Sequence, residues 1–208
     1  APRLACGVRE FDDGKVLVFD AVSGGDALLV LDAGEEANAL VIFEDLATGA
    51  LRLACGSHKK VRVFDPFAGG KALVVLGGHT DSVMALTAFT DPATFESRLV
   101  SGSEEIIRVW NPAASGAAIK AEPEGHTGDV NALVTFTDSA RGALRVATGS
   151  YDRKIRVWDA DTGGALLVID VCDYVKALAF FVDPATGAPR LACGCYDKKV
   201  RVFDPVAG

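Results

Sequence analysis

The sequence lacks any long apolar run and any excess of positive charge. Half of its residues are hydrophobic, yet no stretch approaches the roughly 20 consecutive apolar residues that a membrane-spanning helix needs. The net charge of −7 argues against a chain built to coat nucleic acid or an anionic membrane. We therefore predict no nucleic-acid partner and no membrane insertion, and the first residues show no signal peptide.

Cysteine is scarce and odd in number, which argues against a disulfide framework. Of the five cysteines, Cys6, Cys55 and Cys193 lie in the same Leu-Ala-Cys-Gly phrase, and we expect each to be a small buried residue. This usage favours the cytoplasm or another reducing intracellular compartment. Cys193 and Cys195 are spaced as zinc ligands can be, but no further pair completes a site, so we predict neither a metal nor a cofactor.

The motifs of common enzyme classes are also missing. The sequence has no Gly-x-Ser-x-Gly elbow, no phosphate-binding loop and no dinucleotide fingerprint. Adjacent acids such as Glu104 and Glu105 lie in predicted turns, where solvated loops are a better interpretation than paired glycosidase carboxylates. We predict that the protein is not an enzyme and has no catalytic residue.

What the sequence does contain is an internal repeat. A short phrase, rich in β-branched residues and ending in an aromatic residue followed by Asp or Asn, occurs five times. The five phrases are KVLVFD at 15–20, KVRVFD at 60–65, IIRVWN at 106–111, KIRVWD at 154–159 and KVRVFD at 199–204. Their aromatic residues follow one another at steps of 45, 46, 48 and 45 residues, which is a period typical of repeat architectures.

Each period contains short segments rich in Val, Leu and Phe. The second period, for example, has NALVIF at 38–43, RLACG at 52–56, the aromatic phrase, and then ALVVL at 72–76. Asp, Pro, Gly and Ser separate these segments, and no sustained helical period is present. The pattern predicts about four strands per period, joined by tight turns.

Four short strands in a period of this length are typical of one β-propeller blade, and the chain resembles the WD-repeat family. The resemblance rests on Trp158-Asp159, on the Gly-His pairs Gly78-His79 and Gly125-His126, and on variant pairs in which Phe replaces Trp or Asn replaces Asp. These variant pairs are Phe19-Asp20, Phe64-Asp65, Trp110-Asn111 and Phe203-Asp204. The resemblance implies an all-β propeller of four-stranded antiparallel blades, of which about four and a half are present.

The resemblance also implies a hydrogen-bonded set within a blade. A His before the first strand, a Ser or Thr on the second, an Asp in the next turn and a Trp on the third strand form this set. The members here are His126, Thr148, Asp152 and Trp158 in one blade and His79, Ser101 and Trp110 in its neighbour, where Glu105 replaces Asp. The other blades use Phe, which has no N–H to donate, and we expect them to be less rigid.

We predict a single propeller domain over residues 1–208. Its blade segments lie at approximately 1–22 (partial), 27–67, 72–113, 117–161 and 165–208. The phrase APRLACG occurs at 1–7 and again at 188–194, so both terminal segments hold the second and third strands of a blade. We therefore expect a portion of a seven- or eight-blade propeller, whose open faces are covered by missing blades, a second copy or a partner.

The turns between second and third strands, which share the top face in this family, are rich in basic residues. These residues are Arg9, Lys59, Lys60, Arg153, Lys154, Lys198 and Lys199. One interpretation is ordinary solubilising charge, and the sharper one is a face that binds acidic peptides or proteins.

The function that the resemblance implies is a non-catalytic scaffold that mediates protein–protein interactions within a larger assembly. One alternative is an architectural subunit that docks through its blade edges. A less favoured alternative is an enzyme with a site at the central channel. The fold by itself does not choose among them.

Overall fold

A computed structural model describes residues 2–8, 14–113, 118, 120–122, 125–138 and 140–207. Over these residues the chain forms seventeen strands and no helix, so none of them builds a helix suited to crossing a membrane. The strands are β1 (Arg3–Val8), β2 (Lys15–Asp20), β3 (Leu29–Asp32), β4 (Ala39–Asp45), β5 (Ala50–Phe64), β6 (Val74–Ser82), β7 (Ala85–Thr90), β8 (Ser97–Gly102), β9 (Ile107–Trp110), β10 (Lys120–Glu122), β11 (Val130–Asp138), β12 (Ala143–Ser150), β13 (Lys154–Asp159), β14 (Ala165–Asp170), β15 (Val175–Val182), β16 (Pro189–Cys195) and β17 (Val200–Phe203).

The strands form five small sheets in which consecutive strands are neighbours. We call these sheets blade 1 (β1–β3), blade 2 (β4–β6), blade 3 (β7–β10), blade 4 (β11–β14) and blade 5 (β15–β17). Every described pairing in blades 1, 2, 4 and 5 is antiparallel. The all-β fold with propeller blades, expected from the repeat, is confirmed.

Blade 2 differs from the expected pattern in one respect. The strand predicted for RLACG at 52–56 and the strand predicted for the aromatic phrase at 60–65 are continuous in the structure and form β5. Residues 50–56 of β5 pair with β4 and residues 58–63 pair with β6. The chain reverses near Lys59, whose φ of 60° places it in the left-handed region.

The described chain divides into two compact units. Unit 1 comprises Ala1–Ser101 and Val109–Ile119, and unit 2 comprises Gly102–Arg108 and Lys120–Gly208. Blades 1 and 2 therefore lie in unit 1, blades 4 and 5 lie in unit 2, and blade 3 is shared. Residue 117, where the fourth predicted segment begins, is outside the described residues.

In unit 1, blades 1 and 2 pack face to face, and each blade contributes a different set of apolar side chains to the contact. Val16 and Val18 of β2 share a buried cluster with Leu53, Cys55 and Phe64 of blade 2. Alternate residues of a strand point to opposite faces. The strand that carries the aromatic phrase in each blade therefore presents its β-branched residues, mostly valines, on one face and its aromatic residue on the other. We call these the valine face and the aromatic face of a blade.

The same arrangement recurs at the next contact within unit 1. The valine face of blade 2, with Val61 and Val63, packs against Leu99 and Trp110 on the aromatic face of blade 3. All four of these side chains are buried. Burial of side chains of this size contributes about 1.5–3 kcal/mol each, so these contacts are a main source of blade stability.

In unit 2, blades 4 and 5 repeat this contact. Ile155 and Val157 on the valine face of blade 4 form a buried cluster with Leu191 and Cys193 of blade 5. Beside them, the rings of Phe136 and Phe180 stack at 4.7 Å with an interplanar angle of 12°. The three contacts show that a valine face is covered by an aromatic face.

A glycine at the end of the second strand allows close packing of the next blade. A Cβ atom at Gly56 would lie 2.7 Å from Val83 Cγ1, and one at Gly102 would lie 2.6 Å from Val130 Cγ1. Both valines are fully buried. At these two positions, the Gly of the RLACG-type phrase therefore makes room for the first valine of the following blade.

The expectation that all three repeated cysteines are buried is wrong for Cys6. Cys55 and Cys193 are buried, but Cys6 is exposed although its local sequence is the same. Cys55 and Cys193 lie on aromatic faces that are covered by a valine face. Among the described residues of unit 1, the aromatic face of blade 1 has no such cover, which explains the difference.

Candidate functional site

In blade 4, four side chains form a continuous hydrogen-bond chain. His126 Nδ1 lies 2.8 Å from Asp152 Oδ2, and His126 Nε2 lies 2.7 Å from Thr148 Oγ1. Trp158 Nε1 donates to the same Thr148 hydroxyl at 2.9 Å. A carboxylate only accepts, so His126 carries its proton on Nδ1 and its Nε2 accepts from Thr148.

Burial defines the charge state of this set. The His126 side chain is fully buried and that of Asp152 nearly so. Desolvation lowers the pKa of His126, against the opposing effect of Asp152, so the imidazole is neutral at pH 7. Gly125 precedes it because a Cβ atom there would lie 2.8 Å from the Trp158 ring.

Blade 3 has a shorter version of the set, whose histidine is supplied by β6, the last strand of blade 2. His79 Nε2 lies 2.6 Å from Ser101 Oγ, and Trp110 Nε1 donates to the same hydroxyl at 2.7 Å. The three side chains are buried. Glu105, which occupies the position corresponding to Asp152, is exposed to solvent.

Two other blades connect the third strand to the preceding turn through an arginine. In blade 5, Arg201 donates to Asp197 at 3.1 and 2.6 Å, and this guanidinium lowers the pKa of the carboxyl group. In blade 2, Arg62 donates to Ser57 Oγ at 2.6 Å. Without a His-hydroxyl-Trp chain, these blades hold the same turn by a charge-assisted bond or a bond to a hydroxyl.

The Asp of the repeated phrase has a local role in the turn that follows. Asp20 Oδ1 accepts from the backbone N–H groups of Val22 and Ser23, and Asp65 Oδ1 accepts from those of Phe67 and Ala68. These backbone bonds are the main reason why the pKa of each carboxyl group is lowered. These two aspartates of the repeated phrase thus stabilise the turns that follow them.

The structure places the predicted top-face residues in equivalent turns. Lys59, Arg153 and Lys198 occupy the same turn position with φ of 60°, 66° and 65°. Their neighbours Lys60 and Lys199 are exposed, and Lys154 is half-buried. Lys59 and Lys60 belong to unit 1, and the other four residues to unit 2. Arg9 is outside the described residues.

In unit 2 these turns bring together an aromatic cluster that the sequence analysis missed. Tyr151 precedes Arg153, Tyr174 ends the turn between β14 and β15, and Tyr196 precedes Lys198. The rings of Tyr151 and Tyr174 are 5.3 Å apart, and those of Tyr174 and Tyr196 are 6.1 Å apart. The backbone N–H of Tyr196 also donates to the carbonyl of Tyr174 at 3.0 Å.

Two cations lie over these rings. Lys176 Nζ is 4.1 Å from the centre of the Tyr151 ring and 5.8 Å from that of Tyr196, and it donates to the Tyr151 hydroxyl. The Arg153 guanidinium is 5.9 Å from the Tyr174 ring. We call Tyr151, Tyr174, Tyr196, Lys176 and Arg153 the tyrosine patch. Cation–π contacts of this kind hold the side chains in fixed positions at the surface.

The sequence contained a signal for this patch. The chain has three tyrosines, and two of them begin the parallel phrases YDRK at 151–154 and YDKK at 196–199. Tyr174 and Tyr196 are well exposed. Tyrosine offers a large, rigid contact area with a polar end, and Tyr and Arg are enriched among residues that dominate protein–protein binding energies.

The patch and its flanking turn carry three exposed cations. Arg153, Lys176 and Lys198 are exposed. Of the nearby acids, Asp197 is bonded to Arg201, Asp152 is buried against His126, and Asp173 accepts from the backbone N–H of Tyr174. The patch therefore presents exposed ammonium and guanidinium groups beside aromatic rings.

The cysteine pair of blade 5 has the chemistry of buried thiols. Cys193 Sγ lies 3.6 Å from Cys195 Sγ, and both residues are buried. Burial raises the pKa of Cys193 to about 12, so this thiol is protonated at neutral pH. Within the described part of the chain, no group of three or more His, Cys, Asp or Glu residues is placed to hold a metal ion.

Comparison with protein families matches the two segments of the chain that contain a buried histidine. The family model described as "WD domain, G-beta repeat" matches residues 70–111 and 119–159. The first match includes His79, Ser101 and Trp110, and the second includes the set of His126. Comparison with curated proteins finds no match.

Proposed function

We propose that this chain, a WD-repeat protein, is a non-catalytic scaffold that binds other proteins through the tyrosine patch. WD repeats generally mediate protein–protein interactions, and their blades are rigid supports for variable surface turns. The observation that carries the proposal is the convergence of three tyrosines and two cations from separate turns of unit 2.

The partner that fits this surface is an acidic segment of a protein or peptide. Arg153 and Lys176 provide charge for carboxylates, and the exposed rings of Tyr174 and Tyr196 provide area for apolar or aromatic side chains. Lys198 and Lys199 flank the patch on the same turn as Tyr196. Complementary charge of this kind increases association rates and selects partners.

A scaffold role also accounts for the two buried histidines. Each uses a ring nitrogen to bind the hydroxyl that holds a tryptophan, so both serve the packing of a blade. The buried thiols of Cys55 and Cys193 are consistent with a reducing intracellular compartment, which we propose as the location.

An array of acidic peptides tests the proposal. Each peptide is paired with a version in which Asp and Glu are replaced by Asn and Gln, and binding of the 208-residue chain is measured at low and physiological salt. We expect the acidic members to bind and their neutral versions not to bind. Binding should weaken as salt rises, because ions screen exposed charges.

Substitutions in the patch make the test specific. Lys176→Glu and Tyr196→Ser should each weaken binding about tenfold or more, since hot-spot residues contribute about 2 kcal/mol or more. Lys71→Glu is the matched control, because Lys71 is an exposed lysine in a turn of unit 1 and is not a member of the patch. Equal binding by neutral peptides, or unchanged binding by both patch variants, would refute the proposal.

A further inference from the structure

Blade 1 and blade 5, the first and last in chain order, each expose an apolar face whose equivalent is buried in blade 2. In blade 5, Val200 and Val202 are 72% and 53% exposed. Their equivalents in blade 2, Val61 and Val63, are 0% and 2% exposed because the aromatic face of blade 3 covers them. Among the described residues of unit 2, the valine face of blade 5 has no such cover.

Blade 1 exposes the opposite kind of face. Leu4 is 60% exposed and Cys6 is exposed, whereas the equivalent Leu53 is 1% exposed and the equivalent Cys55 is buried. The two phrases are both RLACG, so the difference comes only from what lies against them. In blade 2 that cover is the valine face of blade 1.

The chain therefore carries both faces of one kind of contact, and each face is uncovered within its own unit. Within the molecule, a valine face is covered by an aromatic face at three places, which pair blades 1 and 2, blades 2 and 3, and blades 4 and 5. From this we infer that the valine face of blade 5 in one copy of this chain binds the aromatic face of blade 1 in a second copy.

The residues at the two faces match those of the internal contacts. Ala192, Val200 and Val202 correspond to Ala54, Val61 and Val63, which pack on blade 3. Leu4, Cys6 and Phe19 correspond to Leu53, Cys55 and Phe64, which pack on blade 1. The contact is heterologous, since the two copies use different surfaces, and such contacts produce rings or open chains.

The tyrosine patch is not part of this inference, which stands on different residues. Exposed apolar faces of this kind are costly in water, and covering them gives the free energy for association. We expect the purified chain to form concentration-dependent species whose masses are multiples of 21.7 kDa. A mass of 21.7 kDa at every concentration tested would overturn the inference.

Two variants that each damage one face provide the sharper test. Val202→Asp places a carboxylate in the valine face, and Leu4→Glu places one in the aromatic face. A buried unpaired charge is strongly unfavourable, so each variant alone should be monomeric. Val22→Asp is the matched control, because Val22 is an exposed valine in a turn, and it should associate like the unmodified chain.

Mixing the two variants then distinguishes a heterologous contact from any other. The Leu4→Glu chain keeps its valine face and the Val202→Asp chain keeps its aromatic face, so an equimolar mixture has one intact pair of faces. We expect this mixture to form a dimer that does not grow further. Circular dichroism spectra of both variants check that the strands are retained. A mixture of folded variants that stays monomeric, although the unmodified chain associates, would contradict the inferred pair of faces.

Discussion

The hydrogen-bonded sets of blades 3 and 4 share a plan but differ at one end. Both place a hydroxyl between a histidine and a tryptophan, through Ser101 in blade 3 and Thr148 in blade 4. Blade 4 adds Asp152, which is buried against His126, whereas Glu105 in blade 3 is exposed. The comparison shows that the hydroxyl is the common centre and that the acid is an addition whose use depends on its length and burial.

The largest expected effect comes from removing the central hydroxyl of blade 4. Thr148→Val keeps the side-chain volume but leaves the Trp158 N–H and a nitrogen of His126 without their partner. Two buried polar groups that lose a bond should reduce the free energy of unfolding by about 2–4 kcal/mol. Urea unfolding measures the loss.

A conservative change provides the control for this prediction. Thr148→Ser keeps the hydroxyl and removes one methyl group, so it should cost much less than Thr148→Val. The corresponding Ser101→Ala in blade 3 should be costly for the same reason as Thr148→Val. If Thr148→Val and Thr148→Ser were equally stable, the hydroxyl would not be the centre of the set.

A smaller effect should separate the two acids. Asp152→Asn removes a charge-assisted bond to buried His126 and should cost about 1–3 kcal/mol. Glu105→Gln changes an exposed side chain and should stay within about 0.5 kcal/mol of the unmodified chain. Thermal or urea unfolding of both variants measures the difference, and equal losses would remove the distinction between the two blades.

The pH dependence of stability should report on the same comparison. The pKa of His126 is lowered in the folded state, so below about pH 6.5 the unfolded chain binds more protons than the folded one. The free energy of unfolding should therefore decrease as pH falls from 7 towards 5, and the decrease should be reduced in His126→Gln. A profile that is flat or rises over this range would contradict the prediction.

The smallest effect concerns the turn aspartates. Asp65→Asn keeps a side-chain oxygen for the backbone N–H groups of Phe67 and Ala68, as Asn111 does for Ala113 in blade 3. We expect little change at neutral pH. Because the pKa of Asp65 is lowered, its charged form supports folding above about pH 4 and is lost below it, so the variant should lose less stability in acid. Urea unfolding at pH 7 and pH 3 tests this, and equal acid sensitivity would refute it.

The strands and their repeat could be predicted because both depend on local order. Alternating Val and Leu between Asp, Gly and Pro turns specify strands wherever they occur. Whether a phrase is buried or exposed depends on the blade that packs against it. The phrase RLACG is buried at Leu53 and Cys55 but exposed at Leu4 and Cys6. No pattern within the phrase contains this information.

The candidate site was less accessible from sequence. The basic turn residues were visible, but the tyrosine patch combines turns from different blades, and its members Tyr151, Tyr174 and Tyr196 are more than twenty residues apart. Their contact follows from blade packing. The Arg201–Asp197 pair replaces the missing histidine set in blade 5, and only the folded turn shows this substitution.

The proposed binding role is tested most directly by locating a bound acidic peptide on the chain. Hydrogen–deuterium exchange is compared with and without an acidic peptide selected from the array, at a concentration that saturates binding. We predict slower exchange in the turns at residues 151–154, 172–176 and 196–199, and no such slowing in the Tyr196→Ser chain. Slower exchange confined to the turns that follow the aromatic phrases, with no slowing at the tyrosine patch, would contradict the proposed function.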